Sequence, residues 1–318
     1  MAKRILPLLV VVAAVGGAYV YFFCDLVVLR DANGTIQGLT IARRGEAPAP
    51  LLPSRSSDPA ARPTLRVATY NLGRLDEKKL RTPQVADVLV RLLPKFDVVA
   101  VQDVEARDQG GLLRLVEQIN ATGQQYDFAV CPSVGHSGME RHSGFVFNQA
   151  AVEIDRSTVC SVEDPERRFR HKPLVALFRA KGPGQAEAFT FKLINVHVEP
   201  DRAAVELDLL DDVYRAVRDD GTGEDDVIML GDFGVAGDRP GPLSQIPDVT
   251  AAIIDTPTSL RGGRPVDNIL FDRRATREFT GRAEVFDLMR EFDLQLQDAR
   301  AVSDHLPVWA EFSFYEGG

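Results

Sequence analysis

From Leu65 onward the chain alternates short apolar runs with longer segments whose apolar residues recur every three or four positions, the pattern of strands and helices in turn. Strands are predicted at Leu65 to Tyr70, Val98 to Gln102, Tyr126 to Cys131, Gly144 to Phe147, Val175 to Arg179, Phe189 to His197, Val227 to Gly231, Val266 to Phe271 and Val308 to Phe314. Several are apolar on both faces, as in a sheet covered on each side. Phe189, Phe191 and Leu193 opposite Thr190, Ile194 and Val196 show this most clearly. Thr82 caps and Pro83 opens a predicted helix to about Leu93, with Val85, Val88, Leu89 and Leu92 on one face. A second helix is expected from about Arg202 to Arg218. In it Val205, Leu209, Val213 and Val217 recur every four residues beside the acids Asp208, Asp211 and Asp212.

The N-terminal part is built differently. Ile5 to Phe23 carries no charge and as a helix would span roughly 28 Å, close to the hydrocarbon thickness of a bilayer. Lys3 and Arg4 before it favour a cytoplasmic N-terminus and an exported remainder, although Arg43, Arg44 and Arg55 weaken the asymmetry. A cleaved signal peptide is the alternative. The run is longer than a usual signal core and ends in Tyr21, Phe22 and Phe23, where a cleavage site needs small residues. A strand-like patch, Leu26 to Ile41, leads into Glu46 to Pro63, rich in Pro, Ala, Ser and Arg without apolar periodicity. The expected organisation is a membrane anchor or signal over 1–25, a linker over 26–63 and an α/β domain over 64–318.

With 318 residues and 45% hydrophobic content, one sizeable core is expected. The net charge of −9 opposes tight, sequence-independent binding to polyanions, though not turnover of one. Cys24, Cys131 and Cys160 lack the spacing of a zinc site. Cys131 and Cys160 read as unpaired core thiols, with a bridge between them open only outside the cytosol.

The chemically informative polar residues fall at the ends of predicted strands. Asn71 ends VATYN, Asp103 follows VVAVQ, His197 ends LINVH, Asp232 ends VIMLGD, and Asp304 with His305 precede the last strand. Carboxylates and an amide oxygen suit Mg²⁺, Mn²⁺ or Ca²⁺, and imidazoles trade protons near neutral pH. Singly, each such acid is ordinarily a turn former or helix cap. Jointly they describe metal-assisted phosphoryl chemistry.

The motifs VATYNLG, VVAVQDVE, GMERHSGFVF, NVHVEPDRAAVELDLLDDVYRAV, VIMLGDFG, VDNILFD and VSDHLPV, in this order, resemble the endonuclease/exonuclease/phosphatase superfamily and within it the deoxyribonuclease I branch. The resemblance covers about Leu65 to Phe314 and implies a four-layer α/β/β/α sandwich of two mixed sheets. It implies that His197 and His305 are the proton-transfer pair, oriented by Glu140 and Asp267, and that Asn71, Asp103, Asp232 and Asp304 hold a divalent metal, Mg²⁺ foremost. Arg170, His171, Asn268 and Gly234 would border the substrate. That substrate would be nucleic acid, DNA favoured, or another phosphoester such as a phospholipid, and no protein partner is implied.

Two departures touch the site. Gln102-Asp103 replaces Q-E, shortening the carboxylate by one methylene, so that either the backbone moves in or a water bridges the gap. Gly234 replaces the asparagine of G-D-F-N, removing an amide. Beyond these, Glu105 stands where that branch has a DNA-contacting arginine, and His171 stands near its R-x-P arginine. A catalytically impaired binding or scaffolding module of the same fold is the contrasting expectation.

Overall fold

In the computed structural model, residues 24–30, 36–43, 63–105, 110–131, 141–237 and 241–317 are described. The chain divides into two units, Met1–Ala61 and Arg62–Gly318. In the first, β1 (Cys24–Arg30) and β2 (Ile36–Arg43) pair antiparallel, occupying the strand-like patch within the stretch expected as linker. The apolar run Ile5 to Phe23 lies outside the described residues. Among the described residues no helix is long and apolar enough to cross a membrane.

The second unit opens with β3 (Thr64–Leu75), the short helix α1 (Glu77–Leu80), α2 (Pro83–Leu92), β4 (Val98–Glu105) and α3 (Gly110–Ala121). The strands β5 (Tyr126–Val130), β6 (Arg141–Asn148), β7 (Val152–Ser161), β8 (Leu174–Ala180) and β9 (Thr190–His197) follow. Then come α4 (Ala203–Arg218), β10 (Val227–Asp232), β11 (Val249–Ala251) and β12 (Asp267–Asp272). The chain closes with β13 (Phe279–Val285), α5 (Leu288–Phe292), α6 (Leu296–Val302) and β14 (Val308–Ser313).

Two six-stranded mixed sheets result, ordered β13-β14-β3-β4-β6-β5 and β11-β12-β10-β9-β8-β7. Among the described residues only β3–β4 and β9–β10 pair parallel. The two-faced strands produce the layering. Phe189, Phe191 and Leu193 join Leu65, Val67 and Phe145 in a core shared by both sheets, while Ile194 and Val196 face Leu207, Leu210 and Tyr214 of α4. On the outside of the first sheet, Ala68, Tyr70 and Val99 pack on Val85, Val88 and Leu89 of α2 and Leu112 and Leu115 of α3. Helices, sheet, sheet and helix therefore stack in four layers.

The apolar core between the sheets is crossed by a polar clasp. Gln102 Nε2 donates to Asn195 Oδ1 at 2.8 Å and to Thr69 Oγ1 at 2.9 Å, and Asn195 Nδ2 donates to the carbonyls of Gly144 at 2.9 Å and Val101 at 3.1 Å. All three side chains are fully buried.

Three expectations need correction. Thr82 stands at the N-cap of α2 but its hydroxyl makes no capping bond. The buried stripe of α4 is Ala203, Glu206, Leu207, Leu210, Val213 and Tyr214, while Val205 is 52% exposed. A strict four-residue repeat drifts about 40° per step around a helix, so only steps alternating three and four stay on one face. The cysteines are not core thiols: Cys131 is half-buried, Cys160 is exposed and both are free.

Candidate active site

Strand register assembles half of the site. β9 and β10 end level, pairing His197 with Asp232, and β12 starts beside them, pairing Asp267 with Asp232. His197, Asp232 and Asp267 thus stand in a row at one rim of the second sheet. The first sheet supplies the rest. Asn71 and Gln102 pair where the regular β3–β4 register breaks, and Asp103 follows in a left-handed conformation (φ 61°) where the β4–β6 pairing is bulged. The turn from α6 into β14 carries Asp304 and His305. It is pinned by Ser303, whose hydroxyl donates to the Asn71 carbonyl at 2.7 Å and accepts from the His305 amide at 3.0 Å. Asn71 Nδ2 donates to Asp232 Oδ2 at 2.9 Å, joining the two rims.

His305 is held from behind. Its Nδ1 donates to the Asp267 carboxylate at 2.9 and 3.1 Å, and its Nε2 faces Asp232 Oδ2 at 3.7 Å. Asp267 is itself fixed by the Thr258 hydroxyl, which donates at 2.9 Å. Burial works against a charged ring, but the hydrogen bond and charge of Asp267, with Asp232 and Asp304, outweigh it and raise the His305 pKa to about 9. His197 has the opposite surroundings. Burial, then the neighbouring His171, lower its pKa to about 4, against the pull of Asp232 and Glu199. The His171 ring stacks on that of His197 at 4.4 Å between centroids, and His171 Nε2 lies 3.0 Å from Glu199 Oε1. Burial and the neighbouring Asp267 push the Asp232 carboxyl upward, opposed by His305, His197 and the Gly234 amide.

Lys79 ties in the remaining acids. Its ammonium donates to the carbonyls of Leu72 and Gly73, directly after Asn71. Burial lowers its pKa to about 8, while the charges of Asp103, Asp76 and Asp304 hold it up, so Asp103 and Asp304 share its neighbourhood. Asp304, half-exposed, also accepts from Arg261 Nη2 at 2.9 Å.

The residues expected to border the substrate fare differently. His171 reaches the site, but Arg170 is exposed, and its backbone amide donates to Glu206 Oε1 at 2.7 Å. Asn268 is fully buried, its amide engaged with the backbone of Ile253 at 2.7 and 3.1 Å, so it fastens the segment that follows β11. Gly234 contributes its backbone: the amide donates to Asp232 Oδ1 at 2.9 Å, φ is +69°, and an added Cβ would lie 2.4 Å from the Val198 carbonyl. No asparagine fits this backbone, so the glycine is part of the local geometry. Glu140 lies outside the described residues.

The sequence reading missed Lys79, Glu199, Arg261 and Thr258. Glu199 is visible two residues after His197 in NVHVEP, whereas Lys79 sits in DEKK, which reads as a solvated helix start.

The sequence profile described as "Endonuclease/Exonuclease/phosphatase family" matches residues 68–305. The chain belongs to this family. Among curated relatives, human deoxyribonuclease-1-like 2 is 28% identical over 282 residues, covering 79% of this chain and 93% of that protein. Pig (Sus scrofa) deoxyribonuclease-1 is 26% identical over 267 residues, covering 77% and 90%. Among solved structures, a humanized D. rerio TDP2 superposes with a TM-score of 0.54 at 14% identity, covering 79% of this chain and 99% of that one. The mannosyl-6-phosphatase of Bacteroides thetaiotaomicron VPI-5482 does so with a TM-score of 0.53 at 14% identity, covering 79% and 100%. These structures speak for the fold alone, and the deoxyribonucleases place the chain in their branch of the endonuclease/exonuclease/phosphatase family.

Within that family frame the donors suit a hard cation. Asn71, Asp103, Asp232 and Asp304 offer oxygen ligands, and among the described residues Asn71 Oδ1 accepts one hydrogen bond, from Gly73 N at 2.9 Å, leaving a lone pair for an ion. The ligand atoms of Asp232, Asp267 and His305 lie within 4.8 Å of one another.

Proposed function

We propose that the chain is a divalent-metal-dependent phosphodiesterase that cleaves nucleic acid, DNA foremost, using His305 and His197 as proton donor and acceptor. The observation that carries this reading is the pair of imidazoles beside Asp232 at one rim, one backed by the Asp267 carboxylate and the other stacked on His171. A ring bonded through Nδ1 to Asp267 and protonated at neutral pH is a donor, poised to give the Nε2 proton to a leaving oxygen. A neutral ring is an acceptor able to activate water, and burial with the His171 stack keeps His197 neutral. Asn71, Asp103, Asp232 and Asp304 would hold the metal, which supplies positive charge against the negative charge developing on the phosphoryl oxygens. Asn71 orients Asp232, Gly234 N–H fixes its other oxygen, and Lys79 keeps Asp103 and Asp304 together.

An exported site tethered by Ile5 to Phe23 is part of the proposal. Its support is the uncharged run itself and the basic pair Lys3 and Arg4 before it. The intact set of Asn71, His197, Asp232, Asp267 and His305 speaks against the impaired module. The test is metal-stimulated hydrolysis by the purified full chain of DNA, RNA and phospholipid side by side with Mg²⁺ or Mn²⁺. DNA cleavage that vanishes with chelation is expected. Hydrolysis of phospholipid alone would move the substrate to the lipid class, and no hydrolysis of any phosphodiester would overturn the reading.

A further inference from the structure

Far from the catalytic rim, a second set of acids converges. Asp226 immediately precedes β10, whose other end carries Asp232, so strand rise separates the two by about 20 Å. Glu278 immediately precedes β13 and Glu316 follows β14. Ligand oxygens of Asp226, Glu278 and Glu316 lie within 4.8 Å of one another. Asp226 and Glu278 are each 2% exposed, and Thr276, against Asp226, is 1% exposed.

The hydrogen bonds at this place leave specific atoms over. Glu278 Oε1 accepts from the Gly317 amide, and Glu316 Oε2 accepts from the Thr190 amide at 3.2 Å. Glu224 takes the Thr190 hydroxyl and, at 2.8 Å, the Asp226 amide. Among the described residues Asp226 Oδ1, Glu278 Oε2 and Thr276 Oγ1 are buried without a hydrogen-bond partner, and the Thr276 hydroxyl lies close to Asp226. Among the described residues no lysine or arginine pairs with Asp226, Glu278 or Glu316. Lys192 is engaged by Asp220, Thr222 and the carbonyls of Val217 and Glu224. Buried carboxylates without a partner are among the costlier arrangements in a protein, and clustering them adds repulsion.

We propose that Asp226, Glu278 and Glu316, with the Thr276 hydroxyl, form a structural site for a hard divalent cation of the calcium class, separate from the catalytic centre. Oxygen donors of this kind match the six to eight ligands, flexible in geometry, that Ca²⁺ takes. Glu316 is exposed, giving the ion a way in and leaving room for water to complete its shell. The ion would fasten the start of β10 in one sheet to the start of β13 and the C-terminal segment beside the other. A proton shared among the carboxyls is the other way to relieve the cluster, and it binds no metal.

The test is the melting temperature of the full chain in chelator and in millimolar Ca²⁺, with calorimetric titration of the metal alone. Ca²⁺ well above its Kd is expected to raise Tm by roughly 5 °C. The rise and one equivalent of binding should disappear in Asp226→Asn and in Glu278→Gln, while Mg²⁺-supported hydrolysis stays unchanged. Without metal both variants should melt no lower than the parent, because an amide relieves the crowding of carboxyl groups at this place. Thr276→Val, uncharged throughout, should weaken Ca²⁺ binding and carries the test if either charge variant fails to fold. A Ca²⁺ response that survives all three substitutions, or none in the parent, overturns the site.

Discussion

His305 and His197 are the same residue type at one rim of one sandwich, yet their environments drive them in opposite directions. His305 has a carboxylate behind it and two more nearby, and holds its proton to about pH 9. His197 has another imidazole stacked on its face and little solvent, and releases its proton near pH 4. The difference teaches that the partner of each ring, more than its placement at a strand end, sets its role. Between these limits the two surroundings favour one charged and one neutral ring, the condition that the proposed acid–base pair needs.

The harshest way to break the contrast is to delete either ring. His305→Ala and His197→Ala are each expected to lower kcat by about 10²- to 10⁴-fold, measured by DNA cleavage at saturating metal. An intact rate in either variant would remove that ring from the chemistry. Asp267→Asn should cost about 10- to 100-fold and move the alkaline limb of the pH–rate profile downward, because His305 loses the charge that sustains its proton.

The contrast also bears on stability. A folded pKa raised above the unfolded value of about 6.5 contributes stability that is fully present below that value and is lost as pH rises through about 9. For His305 the loss between pH 7 and pH 10 is on the order of 2 kcal/mol, and thermal melts should show it in the parent and not in Asp267→Asn. His197 acts in the other window: its depressed pKa favours the neutral fold above about 6.5 and withdraws that support as pH falls toward 4. The mildest probe is His171→Phe, which keeps a stacked ring and removes the imidazole. It should shift the acid limb of the rate profile upward by about half a pH unit or less, and a downward shift would contradict the assigned cause.

How much of this was legible in the sequence depended on burial. Central strands such as β9 and β10 carry apolar residues on both faces and were found, as was the row of polar residues at their ends. The strands that escaped, β7, β11 and β13, all lie at sheet edges. There one face meets solvent and polar runs such as FTGRAEV carry no apolar alternation. The polar partners divided in the same way. Asp267 was legible through its motif, while Lys79 and Thr258 act where the chain turns back on residues seven and nine positions away, in segments that carry no motif. Asn268, expected from the resemblance to border the substrate, is fully buried, one position along the strand from Asp267 and paired with Gly231.

The clasp of Gln102, Thr69 and Asn195 has a bearing on how the molecule would fail. Asn71, Asp103, Asp304 and His305 belong to one sheet and its loops, His197, Asp232 and Asp267 to the other, so turnover depends on the lateral alignment of two slabs. Greasy contacts between slabs tolerate a small slip, whereas the directional Gln102–Asn195 bond just beneath the rim does not. Gln102→Leu should therefore let hydrolysis fade on warming several degrees before circular dichroism reports melting, and coincident loss of both would show that packing alone keeps the slabs in step.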